Sequence, residues 1–169
     1  MAKASYREAP EVKKIADELI EKYHRHLIDF DVRVDYAFVD KTPKSNGKEV
    51  WGTCRKISGI NAYLSGAESD YFLITISEPV WEVLPHAKKV ALVDHELCHA
   101  WAEPDQKDDA EEGEIASEEP VKKSLNPHDL EEFCCIVRRH GLWREDVEAF
   151  VKSALDSKKK TKDNSDSDE

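Results

Sequence analysis

The spacing of apolar residues changes along the chain, and each change marks a predicted element. A helical stripe of apolar residues between Pro10 and Leu27 predicts an N-terminal helix. Four apolar residues then recur at every second position, which predicts a strand with one buried face. These four are Val32, Val34, Tyr36 and Phe38.

Three further segments predict strands. "VWGTCRKI" and "INAYL" lie on either side of Ser58-Gly59, and "YFLITI" is a short, nearly continuous apolar run. Asn46-Gly47 stands in the polar stretch before them, and this dipeptide predicts a hairpin turn. Together these segments predict a small, mostly antiparallel sheet of three to four strands.

Helical spacing returns after the last of these strands. "EPVWEVLP" predicts one helical turn, and a long helix then runs from about His86 to Trp101. Val90, Val93, Leu97 and Trp101 form one apolar face of this helix.

Two more helices are predicted downstream. "NPHDLEEFCCIVRRHG" has Asn126 as its cap, Pro127 at its first position and Gly141 just past its end. "LWREDVEAFVKSAL" predicts the last helix, with Trp143, Val147 and Phe150 facing inward. A helix, a small sheet and then a group of helices make an α+β fold class.

Composition predicts one soluble domain over residues 1–155 and a disordered, charged tail over 156–169, which contains no apolar residue. The net charge is −11, which argues against a sequence-independent grip on nucleic acid. Much of that charge belongs to an acidic insertion over 103–123, in which Glu103 to Pro120 hold nine acidic residues against one lysine. The nearly balanced remainder leaves room for a local basic groove.

The four cysteines predict reduced thiols and a cytoplasmic protein. Cys134 and Cys135 are neighbours, and no C-x-x-C pair stands anywhere in the sequence. No apolar run approaches the length of a membrane span, and the first residues contain no apolar signal region. No membrane partner is therefore expected.

The motif "HELCH" carries the candidate chemistry. His95 and His99 are four positions apart, so on a helix they lie on one face and can hold one Zn²⁺ ion between them. Glu96 is one step round the helix and can reach a water molecule beside the metal. Both histidines lie opposite the apolar face with Leu92, which predicts a second, half-buried face beside a cleft.

A catalytic zinc site needs a third protein ligand, which should come from a downstream element. His128 is the preferred candidate, because Pro127 fixes the start of its helix. Glu132 and then Glu131 are alternative ligands or partners that orient a ligand histidine. His140 is better explained as a histidine at a helix C-terminus, and the remaining three are expected to face solvent. These are His24, His26 and His86.

"DHELCHAW", "NPHDLEEF" and "RRHGLW", preceded by "YFLITISEPVW", resemble the phage metallopeptidase family over roughly Tyr6 to Phe150. They are more distantly similar to SprT-like zinc proteases. The resemblance implies a zincin-like fold, a phage or prophage source, and a third histidine ligand followed by an aromatic residue. His128 and Phe133 match that pattern.

The resulting hypothesis is a zinc metallopeptidase that hydrolyses peptide bonds in a protein or peptide substrate. Glu96 is its general base, and His95, His99 and His128 are its metal ligands. "YFLITI" is either the edge strand on which an extended substrate pairs or an ordinary buried strand. Trp51, Trp81 and Trp101 are expected in the core.

The alternative hypothesis is a zinc-stabilised binding or anti-host-defence module without proteolytic activity. The same ligands can serve structure alone, and the acidic insertion can mimic nucleic-acid charge or cover a cleft. Turnover of an unfolded protein separates the two hypotheses.

Overall fold

The computed structural model describes residues 3–105, 121–128, 137–138, 141–142 and 145–163, with side chains described as far as residue 157. The chain divides into two compact units, Met1–Asn126 and Pro127–Glu169. In the described part of the chain, none of the helices combines the length and apolar character needed to cross a membrane.

The described residues form eight strands and six helices. The strands are β1 (Tyr6–Glu8), β2 (Val34–Val39), β3 (Lys44–Ser45), β4 (Lys48–Glu49), β5 (Gly52–Ile57), β6 (Tyr71–Ser77), β7 (Ala100–Pro104) and β8 (Val121–Leu125). The helices are α1 (Pro10–Tyr23), α2 (His26–Asp29), α3 (Ile60–Leu64), α4 (Glu78–Val83), α5 (His86–Cys98) and α6 (Glu145–Asp163).

The main sheet has four strands in the order β1-β2-β6-β5. β1 pairs with β2 and β5 pairs with β6 in antiparallel fashion, while β2 and β6 are parallel. β2 and β6 run parallel because the chain reverses direction twice between them, once before β5 and once through α3. The predicted α+β class and the small, mostly antiparallel sheet are confirmed.

The core lies between this sheet and the helices α1 and α5. The alternation in β2 is confirmed, because Phe38 is buried and the residues two and four positions before it pack partly against the same cluster. The central strand β6 contributes the largest share of fully buried side chains. The members with at most 1% exposure in this cluster are Val12, Ala16, Phe38, Phe72, Ile74, Ile76, Val93, Leu97 and Ala100.

A short hairpin, β3–β4, stands between β2 and β5. Asn46 and Gly47 form its turn with φ angles of 50° and 77°, the left-handed conformation that an Asn-Gly hairpin turn requires. The turn predicted at this dipeptide is confirmed.

One expectation about the strands is wrong, and for another segment the structure decides between the two alternatives. "INAYL" forms the helix α3, in which only Ala62 is buried, so the alternation of Ile60 and Leu64 does not mark a strand face. "YFLITI" lies inside the sheet between β2 and β5, so it is a buried strand without an edge that a substrate could join.

α5 ends at Cys98, three residues before the predicted end. His99 is the C-cap, and the chain then enters β7, which pairs with β8 from Ala100↔Leu125 to Pro104↔Val121. Both ends of the predicted acidic insertion are therefore strand residues. Trp101 lies in β7 and is 42% exposed, so it does not belong to the apolar face of α5.

The described residues of the second unit bear on several predictions. Pro127 and His128 are not helical, so the predicted helix does not begin at Pro127. Gly141 has a φ of 70° and donates its N–H to Val137 O at 2.9 Å, as expected of a glycine after a helix end. α6 continues to Asp163, so residues 156–163, expected to be disordered, are helical.

Of the three residues predicted to face inward from the last helix, the structure describes two, and one of these is buried. Val147 is 1% exposed, whereas Phe150 is 56% exposed. Trp143 lies outside the described residues, as does most of the predicted helix over 127–140.

Candidate metal centre

The last turn of α5 brings the two histidines of the motif together. The ring centroids of His95 and His99 are 5.1 Å apart, with an interplanar angle of 87°. His95 is exposed and His99 is half-buried. His99 keeps the helical backbone conformation although it is the cap residue (φ −75°, ψ −23°), so its side chain stays on the face of His95.

A hydrogen bond defines which nitrogen of His99 is protonated. Nδ1 lies 2.7 Å from the backbone carbonyl oxygen of Asn126, which can only accept, so Nδ1–H is the donor. In the neutral ring, Nε2 then carries the lone pair. Metal-binding histidines usually donate their second ring N–H to a carbonyl or carboxylate in this way.

Asn126 also completes the end of α5. Its backbone N–H donates to His99 O at 2.8 Å, and its side-chain amide donates to Cys98 O at 3.4 Å. These bonds supply donors to carbonyls that a helix leaves unpaired at its C-terminus. The hairpin β7–β8 thus returns the chain to the two histidines.

Glu96 is buried although it is a carboxylic acid, with 4% of its surface exposed. Burial raises the pKa of its carboxyl group to about 7, and the nearby charge of His99 opposes this increase. A carboxyl group with a pKa near neutrality can accept and return a proton at physiological pH.

The side chain of Glu96 occupies the space above Gly52 in the edge strand β5. A Cβ atom at residue 52 would stand 2.9 Å from Glu96 Cγ and 2.8 Å from Cδ, and still nearer to Oε1. Because real Cβ contacts are essentially never so short, only glycine leaves room for this carboxyl group. Cys54 lies two residues further along β5. Burial, and secondarily the charge of Glu96, raises the pKa of the Cys54 thiol to about 12.

The donor set of this site fits a divalent transition metal. Imidazole nitrogen is a preferred ligand of zinc, and two imidazoles one helical turn apart can bind one ion. His128 is exposed and belongs to the second unit, two residues beyond Asn126. Glu131, Glu132 and His140 lie outside the described residues.

Two histidines expected in solvent have structural partners instead. His24 is 6% exposed, and its Nε2 lies 2.7 Å from Asp94 Oδ1. His26 Nε2 lies 3.1 Å from Ala100 O, and its ring packs on Trp101 with centroids 4.8 Å apart. The spacing of these residues along the chain gave no indication of either contact, because their partners lie about seventy positions downstream.

Of the three tryptophans expected in the core, one is buried and two are exposed. Trp81 is 7% exposed and packs against Phe38 with ring centroids 5.6 Å apart. Trp51 is 42% exposed, as Trp101 is, so the prediction is wrong for both. His86 is exposed as predicted.

An α+β fold in which a helix presents two histidines beside a buried glutamate belongs to a class that includes metal-dependent hydrolases. Residues 4–155 match the model of the family described as "Putative phage metallopeptidase", and the chain belongs to this family. The family resemblance that the motifs indicated is thereby confirmed. No curated protein and no solved structure matches the chain significantly.

Proposed function

We propose that the chain is a zinc-dependent metallopeptidase, encoded by a phage or prophage, that hydrolyses peptide bonds of proteins or peptides in the host cytoplasm. The observation that carries this proposal is the hydrogen bond from His99 Nδ1–H to Asn126 O. It orients a histidine of the motif as a metal ligand is oriented, beside a buried carboxyl group. The family description supports a metal-dependent peptidase.

In this proposal zinc is held by His95, His99 and His128. His95 and His99 supply ring nitrogens from one helix turn, and His128 follows two residues after the carbonyl that binds His99. When bound by three such ligands, zinc lowers the pKa of water to about 7 and polarises a carbonyl oxygen. Glu132, then Glu131, is the alternative third ligand, or it orients one of the ligand histidines.

Glu96 acts as the general base. Its carboxylate takes the proton from the attacking water and delivers it to the leaving amine nitrogen, so the proton count balances over one turnover. Burial supports this role because it raises the pKa of the group to about 7, and Gly52 leaves the space in which the carboxyl group stands.

Replacement of Glu96 by glutamine tests the proposed role directly. Glu96→Gln should keep zinc, measured by elemental analysis of the purified protein, and lower hydrolysis of casein about 10²-fold or more, because an amide accepts no proton. Glu82→Gln, the same change at an exposed position of α4, is the matched control and should leave both unchanged.

Two results would contradict the proposal. Loss of zinc from Glu96→Gln would make Glu96 a ligand. A zinc-loaded wild-type protein that cleaves nothing would favour the binding module without proteolysis.

The third ligand is tested by a pair of variants. His128→Ala should lose most of its zinc affinity, whereas Glu132→Ala should lose about tenfold to a hundredfold, the usual effect of removing a group that orients a ligand. Competition with a chelator measures both affinities. With both changes made in a Cys98→Ala background, so that only the histidine site is measured, retention of one zinc by His128→Ala and loss from Glu132→Ala would assign the third ligand to Glu132.

A further inference from the structure

A second group of metal-binding side chains lies on the same helix, outside the site of the two histidines. His24, Asp94 and Cys98 each offer one ligand atom, and these three atoms lie within 4.8 Å of one another. They supply a nitrogen, an oxygen and a sulfur, a mixed set that suits zinc and cobalt. His24 is buried, Asp94 is half-buried and Cys98 is exposed.

Local structure explains how the three side chains meet. Asp94 and Cys98 are four positions apart in α5, so they share one helix face. His24 is the C-cap of α1, with its N–H bonded to Ile20 O, and α1 packs against α5. The end of one helix thus meets the last turns of the other.

This group is separate from the site formed by His95 and His99. Asp94 and Cys98 each precede one of those histidines by one residue, which turns them about 100° round the helix axis. No ligand is shared between the two groups, so binding at one does not require an ion at the other.

We propose that His24, Asp94 and Cys98 bind a second divalent transition-metal ion, Zn²⁺ or Co²⁺. In the metal-free protein a proton joins His24 Nε2 and Asp94 Oδ1 at 2.7 Å. Two ligands of a tetrahedral zinc ion stand about 3.4 Å apart, so the ion takes the place of that proton and opens this pair by under an ångström. The displaced proton leaves to solvent while Nδ1 takes one up, so the His24 ring stays neutral and presents its Nε2 lone pair to the ion. The thiol proton of Cys98 is released to solvent, since the thiolate is the ligand.

The ion would complete its tetrahedral coordination with water, because Asp94 and Cys98 are accessible from solvent. Its binding would tie the end of α1 to the end of α5, two segments 70 positions apart in the sequence. The bound ion therefore stabilises the turn of α5 that carries the motif histidines. This inference does not rest on the proposed peptidase activity.

Cobalt(II) absorption distinguishes this site from the histidine site. A thiolate bound to Co²⁺ gives an intense charge-transfer band in the near ultraviolet, and His95, His99 and His128 provide no thiolate. The protein is titrated with Co²⁺ alone, as wild type and as His95→Ala/His99→Ala. Both should show the band, saturating at one equivalent per chain in the double variant.

Cysteine variants show which thiolate binds Co²⁺ and gives the band. Cys54→Ala/Cys134→Ala/Cys135→Ala leaves Cys98 as the single thiol among the four cysteines and should retain the band. Cys98→Ala should abolish it, and Cys98→His should bind Co²⁺ without it. Because Cys98 is exposed, these two substitutions should not disturb folding, which a melting curve checks.

The other two ligands are tested by conservative changes, His24→Gln and Asp94→Asn, each of which should weaken Co²⁺ binding at least tenfold. In the His95→Ala/His99→Ala background, added Zn²⁺ should raise the melting temperature, and Cys98→Ala should remove that increase. The proposal is overturned if the band survives in Cys98→Ala, if wild type shows no band at saturating Co²⁺, or if His24→Gln binds as tightly as wild type.

Discussion

Glu96 has its position because residue 52 has no side chain. The carboxyl group lies where a Cβ atom of residue 52 would stand, and Gly52 has an ordinary backbone conformation that any residue can adopt. A substitution at this position therefore acts through its contact with Glu96 and involves no backbone strain. A substitution of Gly52 therefore tests whether the position of Glu96, the proposed general base, matters for activity.

Gly52→Ala should displace the carboxyl group of Glu96 and lower peptidase activity strongly, while the zinc content stays unchanged. Overpacking of this kind costs about 1–3 kcal/mol of unfolding free energy. Shortening the acid in Gly52→Ala/Glu96→Asp should restore most of that stability but not the activity, with Glu96→Asp as the control. Equal activities of Gly52→Ala and wild type would show that the position of Glu96 is not required.

The chemistry of single residues could be predicted only where it depends on near neighbours in the sequence. The spacing of His95 and His99 placed them on one helix face, and the structure brings their rings together. His99 bonds to Asn126, and Glu96 packs against Gly52; in both pairs the two residues are far apart along the chain. The spacing of apolar residues does not predict contacts of this kind. Asn126 was singled out from the sequence, but as the cap of the following helix and not as the partner of His99.

The β7–β8 hairpin is the element that connects α5 to Asn126. Its last pair is Pro104↔Val121, so the two ends of the intervening acidic segment are adjacent. At its other end the hairpin is joined to α5 by Asn126, which bonds to His99 and Cys98. The hairpin can therefore be closed by a short turn.

Replacement of residues 105–120 by Asn-Gly should leave the fold of the first unit and the zinc content intact, because this dipeptide closes two-residue hairpins. The melting temperature should change by no more than about 2 °C, an effect below roughly 0.5 kcal/mol. Calorimetry measures it, and a replacement of equal length by a Gly/Ser segment separates the loss of charge from the loss of length. A fall of 10 °C or more would show that the acidic segment stabilises the unit.

Elements were predicted well where periodicity and tertiary pairing agree. β2, the β3–β4 hairpin and α1 follow this rule. "INAYL" fails because Gly59, with a φ of 57°, ends the strand and the apolar residues after it stay exposed. α5 ends early because Ala100 and Trp101 pair with β8, and such long-range pairing overrides local helical spacing.

At the scale of the whole molecule, the residues proposed for catalysis in the first unit lie at one place in the α+β fold, the C-terminal end of α5. The main sheet and α1 hold α5 from one side, and the β7–β8 hairpin caps its last turn. The family match covers residues 4–155, which includes both of the compact units in part. The sequence pattern predicted this fold class.

The central proposal is that the protein hydrolyses peptide bonds with a metal ion bound at the end of α5. Mass spectrometry of casein after incubation with the purified protein tests it, by counting new peptide N-termini. Zinc-loaded protein should generate new termini, protein stripped by a chelator should generate none, and reloading with two equivalents of Zn²⁺, one for each proposed site, should restore them. The account would be contradicted if the loaded protein, with zinc confirmed by elemental analysis, produced no new termini, or if the chelated protein produced as many.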